Sequence, residues 1–258
     1  MRLGVCGGPD RAELIARAGF EYIEWSVGGL LCPREGRERF EDALRQVRAA
    51  AIPCEALNSF VPGDLKITGS DVDTVALEAY VRIAMERAEE AGVTVIVFGS
   101  GGARRIPDGF DAGEAHRQLV DFSGVAATHA AAHGVTVVLE PLNPKECNVL
   151  TTVAECAALA REVNMPSLRV LVDGYHWLRS DDTVAGILDA GPLLAHTHVA
   201  TAEHRLPPGE EECDFGDFFR ALKEAGYSGR MSIEGRIEDP AGELPRAQAY
   251  LAELSGRY

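Results

Sequence analysis

Three carboxylates and one imidazole recur at comparable places along the chain. Glu140 ends the apolar run VTVVLE (135–140), Asp173 ends LRVLVD (168–173), His198 stands late in LLAHTHV (193–199) and Glu234 ends RMSIE (230–234). A donor set rich in oxygen with a single nitrogen suits a hard or borderline divalent cation. Mn²⁺, Mg²⁺ or Co²⁺ fit best and Zn²⁺ is possible, whereas thiolate-selecting metals are disfavoured. One acid at the end of an apolar run is ordinarily a helix cap or a salt-bridge partner, and one buried histidine is ordinarily satisfied by its neighbours. Four such residues at the same end of four consecutive runs would meet at one point if the runs lay side by side.

The rest of the chain supplies such an arrangement. Earlier runs of the same kind are RLGVC (2–6), FEYIEW (20–25), IPCEAL (52–57) and VTVIVF (93–98), which makes eight in all. Several are continuously apolar and rich in Val and Ile, as parallel strands buried on both faces are. Amphipathic stretches separate them. The clearest is expected to be a helix from Asp71 to Ala91, capped by Ser70 or Asp71, with Val72, Val75, Ala76, Ala79 and Ile83 on its apolar face and Gly92 at its C-terminal end. Eight strand–helix units without a linker predict an α/β protein that is a single (β/α)₈ TIM barrel, with residues 1–258 as one domain. An open doubly wound sheet fits less well, because no GxGxxG follows the first run. The longest connections, near 58–70, 99–110 and 200–213, would lie on the face where strand ends point and are candidates for substrate contacts.

Composition narrows the function. The 258 residues carry 40 acidic and 25 basic side chains, a formal net charge of −15, which disfavours a nucleic-acid partner. No stretch is long and apolar enough for a membrane span, and the first residues lack a signal-peptide core, so a cytoplasmic protein without a membrane partner is expected. Six scattered cysteines without a CxxC pair read as reduced thiols.

The stretches VVLEPLNPKECN (137–148), LVDGYHW (171–177), AHTHVATAEHR (195–205) and MSIEGR (231–236) resemble the xylose-isomerase-like barrel superfamily, in particular its sugar isomerase and ketose 3-epimerase branch. The resemblance implies one divalent metal, most often Mn²⁺, held by Glu140, Asp173, His198 and Glu234, with Glu140 and Glu234 also acting as acid and base. It further implies substrate contacts from Glu146, His176 and Arg205. The stretch VATAEHR from the metal histidine to the arginine is one residue longer than the family usually has. The superfamily also contains a zinc-dependent abasic-site endonuclease, but its additional histidines have no counterparts here.

The expected function is therefore that of a metal-dependent isomerase or epimerase that moves a proton next to the carbonyl of a ketose or keto-sugar through an enediolate. Two alternatives stand beside it: a dehydratase or lyase performing β-elimination on a keto-inositol or 3-keto-glycoside, and a non-catalytic sugar-binding barrel. The partner is a small sugar or sugar derivative, and a homo-oligomer is possible. Other residues have competing roles. Alternation puts His196 one layer below His198, which favours a supporting role. Lys66 and Arg104–Arg105 suit either an anionic substrate group or solvated loops. Trp25 and Phe60 suit a sugar face or the core. Glu146 could instead cap the helix beginning near Thr151–Thr152. Cys147 has no partner histidine nearby in sequence and is not a nucleophile candidate.

Overall fold

Parallel strands need cover on both faces, and the eight apolar runs obtain it by closing on themselves. The computed structural model describes residues 1–258 and contains strands β1 (Arg2–Cys6), β2 (Tyr22–Ser26), β3 (Cys54–Asn58), β4 (Val95–Phe98), β5 (Thr136–Leu139), β6 (Leu168–Asp173), β7 (Leu194–Val199) and β8 (Arg230–Ile233). They pair in sequence order, all parallel, and β8 pairs with β1 to close the barrel. Helices between the strands cover the outside, and most of the apolar core lies in that outer layer. No helix is long and apolar enough to cross a membrane.

Period-two alternation decides what fills the inside. On β3 to β6 the inward residues Ala56, Val95, Val97, Val138 and Leu171 form a small apolar cluster of their own. On β1, β2, β7 and β8 the inner positions are polar or minimal: Gly4, Glu24, His196, His198 and Ser232. Gly4 has no freedom to be larger, because a Cβ there would collide with the Tyr22 ring. Two steps along the same inward faces, Val138 leads to Glu140, Leu171 to Asp173, His196 to His198 and Ser232 to Glu234. The register aligns these pairs across strands, with Asp173 opposite His198 and His198 opposite Ser232. One extra residue of β7, Ala195, lies between the pairs Val170–Leu194 and Leu171–His196 and sets that alignment.

The helix expected over 71–91 starts later, at Thr74, because Asp73 rather than Ser70 or Asp71 accepts the first free amide, from Ala76 at 2.9 Å. Its C-terminal Gly92 has φ 75°, as a left-handed cap requires. Val75 and Ala79 are exposed and Val72, Ala76 and Ile83 only half-buried; the face turned to the core is Leu77, Tyr80, Val81, Ala84, Met85 and Ala88 instead. Glu140 and Glu234 stand one residue beyond β5 and β8 rather than closing them.

Arg104 corrects the expectation of a substrate contact or a solvated loop charge. It ends the short helix Gly101–Arg104, is fully buried, and donates to the carbonyls of Phe98 at 3.0 Å, Glu140 at 2.7 Å and Leu150 at 3.3 Å. The guanidinium thus ties the end of β4 to the backbone of Glu140. Phe60 is likewise core, packed with Tyr80, Phe98 and Phe122. Arg104→Ala is expected to destabilise the protein by about 3 kcal/mol or more, since three buried carbonyls lose a charged donor. Urea unfolding measures this, and a change of less than about 0.5 kcal/mol would show that the clamp contributes nothing.

Candidate metal and proton-transfer site

At the C-terminal mouth of the barrel, one ligand atom each from Glu140, Asp173, His198 and Glu234 lies within 4.8 Å of the others. His198 Nδ1 stands 3.1 Å from Glu140 Oε1 and 3.4 Å from Glu234 Oε2. Asp173 Oδ1 accepts from the Tyr175 amide at 2.8 Å, while its Oδ2 is buried without a hydrogen-bond partner. Gly99 makes room for the cluster, because a Cβ at that position would overlap Glu140 Oε2.

The charges strain against one another. Burial, and then the charge of Glu234, pushes the Glu140 carboxyl above the usual range. Burial also raises Asp173, against the attraction of His198 and with the repulsion of Glu234 and Glu140. Glu234 feels the same burial, but His198 and Arg205 outweigh it and hold the carboxyl below its usual value. His198 is drawn well upward by Glu24 and Glu234 in spite of its burial. An orphaned buried oxygen among three clustered acids and one imidazole is a donor set that fits a divalent cation.

The three other expected site residues surround the cluster. His176 follows Asp173 on the short helix Gly174–Trp177 and is buried. Its Nδ1 accepts from the Asn143 amide at 3.1 Å, so the neutral ring carries its proton on Nε2. Burial, with Arg205 adding to it, pushes this imidazole down to about 3 and keeps it neutral. Nε2 has no hydrogen-bond partner and lies 3.7 Å from Asp173 Oδ2 and 3.9 Å from Glu146 Oε2. It is therefore a free N–H donor beside the cluster.

Glu146 accepts from Asn143 Nδ2 at 2.9 Å. It does not cap the next helix: Thr152 does so by accepting from the Glu155 amide, and Glu155 reaches back to the Thr151 amide. Arg205 has a left-handed backbone, φ 57°, and its guanidinium lies 2.5 Å from Glu234 Oε2, 3.8 Å from Glu146 and 3.9 Å from Asp173. The ring of Tyr175 supports it from 4.5 Å.

A cavity of 710 Å³ opens above these groups, and Asn58, Glu140, Glu146, His176, Arg205 and Glu234 form its inner end. Its outer walls come from the segment after β2, including Cys32 to Glu35, and from the loops after β3 and β4. Cys32, Ser59, Ser100 and Arg205, all with positive φ, line it, so backbone strain is concentrated there. Lys66 is not free for a substrate anion, because its ammonium donates to Gly63 O at 2.5 Å and Gly102 O at 2.9 Å. Arg105 donates to the Glu146 carbonyl at 3.1 Å.

Sequence reasoning passed over Asn143, Asn58 and Glu24. Asn143 lies in the turn PLNP and joins His176 to Glu146. Asn58 Nδ2 reaches Glu234 Oε1 at 3.4 Å. Glu24 is the one acid of strand β2, between Ile23 and Trp25, which was the available sign. It is fully buried beneath the cluster, next to His196 and His198.

Residues 12–254 match the family model described as xylose isomerase-like TIM barrel. Among curated proteins, the chain is 35% identical to the 3-dehydro-D-guloside 4-epimerase of Escherichia coli over 125 residues, a stretch that spans 47% of either protein. It is 29% identical to the L-ribulose 3-epimerase of Methylomonas sp. over 240 residues, 87% of this chain and 78% of that enzyme. In fold it resembles the crystal structure of a 3-keto-D-glucoside 4-epimerase from E. coli, with a TM-score of 0.82, 23% identity and coverage of 98% and 99% of the two chains.

Crowding of the acids has a consequence for stability. Asp173→Asn keeps the acceptor for the Tyr175 amide and removes one negative charge from the cluster. In chelator-treated protein it is expected to raise stability by about 1 kcal/mol, the usual trade between a charged site and the fold. Thermal unfolding without metal checks this, and a lower melting temperature for the variant would contradict it.

Proposed function

The chain belongs to the xylose isomerase-like TIM-barrel family, and we propose that it is a divalent-metal-dependent sugar isomerase or epimerase acting on a ketose or keto-sugar derivative. The observation that carries the proposal is the convergence of Glu140, Asp173, His198 and Glu234 beside a free donor from His176. In this reading those four residues hold one Mn²⁺ or a similar ion, and residues 1–258 work as one domain. When bound, the ion draws electron density from the substrate carbonyl and so acidifies the neighbouring C–H.

The remaining work falls to side chains. Glu140 and Glu234 follow strands separated by two others, β6 and β7, so a substrate over the cluster meets one carboxylate from each side. One removes the proton from the carbon beside the carbonyl and the other returns a proton to the opposite face, which inverts that carbon. His176 donates from Nε2 to a substrate oxygen, and Arg205 stabilises negative charge that develops there. Glu146, held by Asn143, accepts from a substrate hydroxyl. A purely binding barrel has no need of two such carboxylates. A 710 Å³ cavity is roomy for a bare monosaccharide, so keto-glycosides belong beside free ketoses among the substrates to be tried.

Incubation of the Mn²⁺-loaded protein with such a panel in D₂O should introduce deuterium at the carbon beside the carbonyl. No uptake from any member would remove the proposal, and loss of a hydroxyl or glycosyl group would show elimination instead. Glu234→Gln is expected to slow exchange about 10²–10⁴-fold. Glu146→Gln should keep its metal and lose about tenfold in kcat/KM, the equivalent of one hydrogen bond. Wild-type kinetics with only a lower melting temperature would take Glu146 out of the site.

Mn²⁺ at about a hundred times its Kd should stabilise the wild type by about 2.7 kcal/mol. Asp173→Ala and His198→Ala should lose that gain. Full metal content in both variants would overturn the ligand set.

A further inference from the structure

Beneath the four proposed ligands lies a second polar layer whose hydrogen bonds all end on one carboxylate. Glu24 is fully buried, as are His196, His198, Ser232 and Tyr22. Its Oε1 lies 2.8 Å from His198 Nε2. Its Oε2 lies 2.7 Å from His196 Nε2 and accepts from Ser232 Oγ at 2.6 Å. Ser232 has one hydroxyl proton and gives it to Glu24, so the Tyr22 hydroxyl, 2.9 Å away, must donate to Ser232. Glu24 thus accepts three hydrogen bonds and is the end point of a directed chain.

No apolar requirement of the barrel calls for this acid, and the layer does not line the cavity. Its effect is on His198. With Nε2–H committed to Glu24, Nδ1, the atom that faces Glu140 and Glu234, is the one left to take a metal. We propose that Glu24 is a positioning residue that fixes the tautomer and ring orientation of His198 for metal binding, backed by Ser232 and His196. The proposal rests on the metal site described above and assigns Glu24 no contact with substrate. A carboxylate behind a ligating imidazole also makes that imidazole a stronger donor.

Glu24→Gln separates positioning from packing. The amide has the same shape but presents one acceptor and one donor. If its carbonyl takes the two donors His196 and Ser232, its NH₂ faces His198 Nε2 and forces the proton onto Nδ1, where it blocks the ion. A role in packing alone would change the melting temperature of the metal-free protein and leave metal affinity untouched.

The measurement is Mn²⁺ titration of wild type, Glu24→Gln and Ser232→Ala, with unfolding of the metal-free proteins as the control for folding. Glu24→Gln is expected to bind Mn²⁺ about 10–100-fold more weakly. Ser232→Ala, which removes one of the three donors, should weaken binding by a smaller factor in the same direction. A folded Glu24→Gln protein with wild-type Mn²⁺ affinity would overturn the positioning role and leave the metal site standing. Wild type that binds no divalent ion would overturn both. Should Glu24→Gln fail to fold, Ser232→Ala decides: weaker binding supports the role and unchanged binding rejects it.

Discussion

Three carboxylates held within a few ångströms, largely away from water, need positive charge among them. Much of the molecule can be understood from that demand. His198 and Arg205 supply part of the compensation from the protein, and both are anchored: His198 by Glu24 below it, Arg205 by Glu234 and the face of Tyr175. Burial, with repulsion between the acids added to it, still holds Glu140 and Asp173 above their ordinary ionisation range, which leaves room for a dication. A single acid in such a place could lose its charge by taking up a proton. Three together, with the imidazole of His198, make a donor set that fits a divalent cation.

The barrel meets the cost of this cluster by dividing its interior. Strands β3 to β6 fill the inside with Ala56, Val95, Val97, Val138 and Leu171, whereas β2, β7 and β8 contribute Tyr22, Glu24, His196 and Ser232. The apolar half gives packing without buried polar groups to satisfy. The polar half gives directed hydrogen bonds that end on His198 and Glu24. Arg104 then holds the Glu140 backbone to the end of β4, so the acid on the apolar side is fixed through its main chain. The site is supported by two different means on its two sides.

The barrel and the four-residue cluster were legible in sequence because both depend on strand periodicity. Alternation places every second residue inward, and the end of a parallel strand is visible as the end of a Val- and Ile-rich run. Boundaries were less clear, since strand ends depend on pairing between distant segments; the one-residue offset at Glu140 and Glu234 is of that kind. Arg104 and Lys66 were misjudged for a related reason. A basic residue in a loop has the same local appearance whether it points to solvent or to carbonyls brought in from elsewhere in the chain. Glu24 was overlooked because its partners, His196, His198 and Ser232, lie more than 170 residues away along the chain. Glu146, by contrast, was separated from a capping role only when Thr152 and Glu155 were seen to complete the cap themselves.

Lys66 deserves a mechanical reading. By donating to both Gly63 O and Gly102 O, it couples the loop after β3 to the loop after β4, and the two backbones are so close there that a Cβ on Gly102 would lie 3.2 Å from Gly63 Cα. Two walls of the cavity are thereby welded into a single plate. A plate of this kind does not breathe one loop at a time. The segment around Cys32 to Glu35 is tied into the same plate, since Arg34 pairs with Asp64 at 2.7 Å and Arg87 donates to the carbonyls of Leu31, Cys32 and Glu35, so three walls of the cavity are held as one rim.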